Sequence, residues 1–182
     1  LHVENMYVDE LKQILSLQVL KSESIFKDQE IDILSDFVTP CLKSHENKIE
    51  MYYHFHYFEH SNYLIFGAPG SGKTTILRKL ALDFISENIE NDKNIHKFPI
   101  YIQLRDFNNY KSDFNTYIDT CINNTLYNIK FLDHKSVRNG GNLCLLMDGA
   151  DEIDYDKFSN FEKTIEEFQF KNPLTSLIIT SR

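Results

Sequence analysis

Gly67-Ala68-Pro69-Gly70-Ser71-Gly72-Lys73-Thr74 satisfies the spacing G-x-x-x-x-G-K-[ST]. Those residue types suit one chemistry. The glycines let the backbone curl so that its N–H groups converge on phosphate oxygens, and a helix N-terminus behind them adds its positive end. Lys73 brings a mobile cation for β- and γ-phosphates, and Thr74 offers a hydroxyl to Mg2+. The candidate binding residues run from Gly67 to Thr75.

A second constellation lies in "LCLLMDGADEI". Asp148 ends an apolar run, the place where a doubly wound sheet presents side chains to its ligand, and is a candidate metal ligand with Thr74. Asp151 and Glu152 follow at once. A hydrolase needs one carboxylate on the metal and another on the attacking water, and Glu152 is the first choice for that base, with Asp151 close behind. The alternative is an acidic start to the next helix, favoured by its dipole. Arg182, after "SLIITS", stands where a strand beside the phosphate-loop strand would bring it to a γ-phosphate, as a sensor and as a stabiliser of transferred charge.

These residues need elements to place them. "YLIF", "FPIYIQL", "NLCLLMD" and "SLIIT" are short apolar runs with the look of buried parallel strands. Between them, helical spacing links Ile76, Leu77, Leu80, Ala81, Phe84 and Ile85. It also links Phe114, Tyr117, Ile118, Cys121, Ile122, Leu126 and Ile129, and a further helix is expected over Phe158 to Phe170. Strict alternation predicts an α/β fold with a parallel sheet and right-handed crossovers. The joins at 86–97 and 106–113, rich in Asn, Asp and Lys, read as surface loops. The first 36 residues read as a short helical N-terminal segment, with Val8, Leu11, Leu15 and Val19 on one face. A second apolar stretch stops near Thr39 because Pro40 disfavours a helical residue before it.

Composition narrows the class. At 182 residues the chain is about one domain, and its net charge of −8 argues against a general nucleic-acid surface. Cys41, Cys121 and Cys144 show no metal spacing and read as reduced thiols of a cytoplasmic protein. No apolar run reaches the length of a membrane span. The chain starts at Leu1, which leaves a targeting segment open. His56 and His60, four apart with Glu59 between them, lack a placed third ligand. "MYYHFHYFEH" therefore reads as a packed aromatic lead-in helix, and no metal is assigned beyond Mg2+.

Taken together, "GAPGSGKTT", "FPIYIQLRDF", "LCLLMDGADEI" and "SLIITSR" resemble a NACHT domain of the STAND class of signalling P-loop NTPases. "DGADE" and "LRDF" resemble that family more than a general AAA+ protein, and "FVTPCL" is similar to its lead-in segment. The resemblance covers 37–182, so the expected layout is a helical segment at 1–36 and an NTPase domain at 37–182. It implies an additional-strand P-loop sheet of order 2-3-4-1-5, with the Walker A and Walker B strands flanking the sensor strand. It also implies an ADP-held resting state, an ATP-bound signalling state and homo-oligomerisation on activation by a protein or ligand trigger, in defence or innate immunity. The sequence given ends before the fifth strand, leaving the order 2-3-4-1 and an unpaired edge at "YLIF". This segment alone is expected to be marginally stable and aggregation-prone.

The residues themselves leave ATP and GTP open; ATP follows from the resemblance. Two other functions compete with a slowly hydrolysing switch. One is a small-molecule or nucleotide kinase, since "GAPGSGKTT" also resembles nucleotide-kinase loops, although "DGADE" and the lack of an Arg cluster after the loop favour the switch. The other is a nucleotide scaffold that only binds.

Overall fold

The computed structural model describes residues 37–43, 49–51, 62–90, 97–127 and 143–182. Two short strands come first, β1 (Cys41–Lys43) and β2 (Ile49–Met51), paired antiparallel. Then β3 (Tyr63–Phe66) leads through the glycine loop into α1 (Lys73–Glu90). β4 (Phe98–Gln103) runs into a 3-10 turn (Leu104–Asn109) and α2 (Phe114–Tyr127). β5 (Leu143–Asp148) is followed by a second 3-10 turn (Ala150–Glu152), α3 (Tyr155–Lys171) and β6 (Ser176–Ser181).

The four longer-range strands form one parallel sheet in the order β3-β6-β5-β4. Counted with the phosphate-loop strand as the first, that is the order 2-3-4-1 that the resemblance implies. β6, the strand that carries Arg182 at its end, lies between β3 and β5. Because all four strands run the same way, Phe66, Ser181, Asp148 and Gln103 finish at one end of the sheet, where such folds bind ligands.

Both faces are covered, which is why the strands read as continuous apolar runs rather than alternating ones. On one face α1 packs Ile76, Leu77, Leu80 and Phe84 against Ile65, Cys144, Leu146 and Ile178. On the other, Phe114, Ile118 and Phe161 of α2 and α3 close over Ile100, Ile102, Leu145 and Met147. Each fully buried leucine or isoleucine here contributes about 1.5–3 kcal/mol of burial free energy. β3 is the exception: Ile65 is buried, but Leu64 and Phe66 are 56% and 65% exposed.

Local chemistry fixes the helix starts. Asp113 caps α2, its Oδ1 accepting from the Thr116 N–H at 2.9 Å. That bond, chiefly, holds the Asp113 carboxyl below its usual range. α3 starts at Tyr155, three residues before the expected Phe158, because the Asp154 carbonyl accepts the Phe158 N–H at 3.1 Å. It stops at Asn172, ahead of Pro173.

Two surface loops were expected where the chain is ordered differently. Residues 86–90 continue α1, since "SENIE" holds no Gly or Pro to stop a helix. Residues 106–109 belong to the first 3-10 turn and bury Phe107 against the rings of Phe114 and Tyr117, at 4.9 and 5.5 Å between centroids. Ile49–Met51, at the start of the expected aromatic lead-in helix, pairs as a strand with Cys41–Lys43; the rest of that helix, with His56, Glu59 and His60, lies outside the described residues, as does the helical segment at 1–36.

Candidate functional site

The loop between β3 and α1 turns through positive φ at Gly70 and Gly72, and the Ile76 N–H bonds the Gly72 carbonyl at 2.9 Å to start the helix. Ser71 N–H reaches the Ala68 carbonyl at 3.1 Å, closing the curl. The Lys73 ammonium folds back over the loop and donates to the carbonyls of Gly67 at 2.6 Å and Ala68 at 3.1 Å. Gly67 itself is tied to the sheet through its N–H and the Ser181 carbonyl, 3.2 Å away. Ala68, Pro69, Gly70, Ser71 and Thr75 are exposed, so the loop presents its backbone to solvent.

The second constellation meets the first at Thr74. Its Oγ1 donates to Asp148 Oδ2 at 2.7 Å, joining residues that lie on different elements at the same end of the sheet. The Tyr101 hydroxyl donates to that same oxygen at 2.9 Å, and the Thr180 hydroxyl donates to Oδ1 at 2.7 Å. The register explains this: Met147 pairs with Ile179 and Gln103 with Asp148, so Thr180 and the end of β4 flank the carboxylate. Thr180 is fully buried, and its oxygen also accepts the Gly149 N–H at 2.9 Å. Burial first, and then the Asp148 charge, push the Tyr101 hydroxyl up to about 12, so it stays protonated and donating.

Gly149 sits at φ +81, a left-handed backbone that turns the chain from β5 into the acidic 3-10 turn. A Cβ there would come 3.1 Å from Glu152 Cδ, so the Glu152 side chain lies against the bare glycine. Glu152 and Asp151 are both exposed. Asp151 Oδ1 accepts the Arg182 N–H at 2.9 Å, and its Oδ2 accepts the Arg182 Nε–H. Partial burial works to raise the Asp151 pKa, and the two Arg182 bonds outweigh it, holding the carboxyl below its usual range. Arg182 therefore lies on the acidic turn, paired with the very residue placed beside it as a candidate base.

Two further residues bind the acidic turn to the rest of the sheet. Asn108 Nδ2 donates to the Glu152 carbonyl at 2.8 Å, and its Oδ1 accepts the Asp154 N–H at 2.9 Å. The Lys157 ammonium donates to the carbonyls of Phe107, Asn108 and Tyr110 at 2.8–3.0 Å. Sequence reasoning missed Tyr101, Thr180, Asn108 and Lys157. Thr180 carried a signal, being a hydroxyl near the end of the strand that delivers Arg182; the other three carried none.

The residues present fit a nucleotide phosphate with Mg2+. A Cβ at Gly67 would fall 2.5 Å from Ser71 Oγ, so the loop is a cradle that glycine keeps open. The Thr74 hydroxyl and Asp148 carboxylate are hard oxygen donors of the type Mg2+ takes. Among the described residues no group of three or more His, Cys, Asp or Glu has metal-holding geometry. Nor is any described helix long and apolar enough to cross a membrane.

Comparison with curated proteins gave no match. The family model of the NACHT domain matches residues 61–182, well over half of the chain. That span takes in the glycine loop, the Asp148 cluster and the Asp151–Arg182 pair, and it makes this chain a member of the NACHT family, the nucleotide-binding NTPases of the STAND type.

Proposed function

We propose that this domain is a signalling switch that binds ATP with Mg2+ and hydrolyses it slowly. In this reading it is part of a larger cytoplasmic defence or innate-immunity sensor that rests with ADP and forms homo-oligomers when a trigger arrives. The observation that carries the proposal is the 2.7 Å contact between Thr74 and Asp148, which puts the loop hydroxyl and the strand-end carboxylate at one point.

The roles follow from position. Gly67 to Thr75 hold the phosphates through backbone N–H groups, and Lys73 adds its positive charge. Thr74 and Asp148 would hold the metal, and Tyr101 and Thr180 fix the Asp148 carboxylate from either side. Bound Mg2+ supplies charge neutralisation for the transferred phosphoryl group. Glu152, exposed beside Gly149, takes the proton of the attacking water. Asp151 keeps Arg182 on the acidic turn, a resting arrangement from which the guanidinium is released to meet transferred charge.

The test is Glu152→Gln in the full-length protein. Turnover of Mg-ATP is expected to fall about 100-fold with nucleotide affinity retained. Unchanged turnover would mean that Glu152 is not the base, and no turnover in the wild-type protein would mean a scaffold that only binds. Transfer of label from ATP to a small-molecule or nucleotide acceptor would mean a kinase and end the switch reading.

A further inference from the structure

The 3-10 turn after β4 carries no phosphate-binding motif, yet buried side chains and hydrogen bonds anchor it at this end of the sheet. Leu104 and Phe107 are buried, and the Lys157 ammonium lies 4.9 Å from the Phe107 ring centroid while donating to the carbonyls of Phe107 and Asn108 and of Tyr110 just after the turn. What this anchoring holds in place is Asn108. Its amide grips the backbone on both sides of Ile153: the Glu152 carbonyl through Nδ2 and the Asp154 N–H through Oδ1.

A carbonyl only accepts and an N–H only donates, so one side chain must do both. Asp would lose the donor, Ser would lack the span and Leu would supply neither. The three groups form a closed circuit. Lys157, one turn into α3, fixes the backbone of Asn108, and Asn108 fixes the segment that joins Glu152 to α3.

From this juxtaposition we infer that Asn108 is a positioning residue for hydrolysis, setting the Glu152 backbone so that its carboxylate meets the water, and that Lys157 acts through Asn108. The inference rests on the assignment of Glu152 as base. Misplacement of a catalytic group by a fraction of an ångström costs rate without costing affinity.

The experiment is a double-mutant cycle in the full-length protein, read by single-turnover hydrolysis of bound Mg-ATP and by ATP affinity. Asn108→Ala should slow hydrolysis about tenfold and leave affinity within about twofold. In the Glu152→Gln background the same change should cost nothing further, because its only route to the reaction is gone. A purely structural role would give an equal fall in both backgrounds, or a parallel loss of affinity, and either result overturns the assignment of Asn108. Full turnover in Glu152→Gln alone instead overturns the parent reading, and this one with it. Should Asn108→Ala fail to fold, Asn108→Asp keeps the acceptor for the Asp154 N–H, loses the donor, and runs the same cycle with the same expected outcome.

Discussion

The loop after β3 closes largely on itself: Lys73 reaches back to Gly67 and Ala68, and Ser71 to Ala68. The acidic turn after β5 is held from outside, by Thr74 and Thr180 at Asp148, by Tyr101 from β4, and by Asn108 at the backbone of Glu152. Their strands differ likewise. β5 is buried along Leu143–Met147, while β3 exposes two of its four side chains. A phosphate-binding loop can be self-contained because its ligand contacts are backbone groups of one contiguous segment. An acid–base turn works through side-chain carboxylates, which need neighbours to aim them. Substitutions in the loop should therefore cost affinity, and substitutions around the turn should cost turnover or stability.

The sharpest contrast is expected at Lys73→Ala. It should weaken ATP binding about 100-fold, or about 2.7 kcal/mol, in a calorimetric titration. The melting temperature without nucleotide should hardly move, and a large fall there would show that the loop is not self-contained.

Gly149→Ala should do the reverse. A left-handed alanine costs roughly 1–2 kcal/mol, and its Cβ would press on Glu152. Denaturant unfolding should report that loss, accompanied by reduced turnover and unaltered ATP affinity. Wild-type stability in this variant would mean that the turn adapts freely.

Tyr101→Phe should be milder, about 1 kcal/mol for one hydrogen bond, and it has a pH signature. The Tyr101 pKa is raised from near 10 to about 12. Between those values the folded protein keeps a proton that the unfolded chain has lost, so stability falls as pH rises through that window. Comparison of the two proteins from pH 9 upward should show that part of the slope missing from Tyr101→Phe. Equal slopes would remove Tyr101 from the cluster.

The same contrast explains what could be read in the sequence. The Gly67–Thr74 loop was legible because its spacing is local and its chemistry leaves little choice of residue. The four strands were legible because burial on both faces writes continuous apolar runs, and β3 matched "YLIF" residue for residue. Asp148 was legible from its place at the end of such a run. Tyr101 looked like one more apolar strand residue, and only the β4–β5 register brings its hydroxyl to Asp148. Asn108 sat in a stretch whose polarity suggested a solvated loop, and Lys157 lay one residue before the helix expected over Phe158 to Phe170. The same polarity hid Phe107, whose burial turns the segment after β4 into structure. The span 86–90 was misread for a related reason: a polar sequence and a helix are compatible, and nothing in "SENIE" breaks the helix.

Asp148 receives hydroxyls from α1, β4 and β6 while itself ending β5. That makes it a keystone as well as a proposed metal ligand. If the carboxylate is removed, the hydroxyls of Thr74, Tyr101 and Thr180 lose a shared acceptor in a partly buried place, and the ends of neighbouring elements lose their common point of alignment. A dead Asp148 variant would thus be an ambiguous witness, because failed assembly and failed chemistry look alike in an activity assay. The exposed Glu152 stands apart from that joint, and it is there that a loss of turnover speaks for the reaction alone.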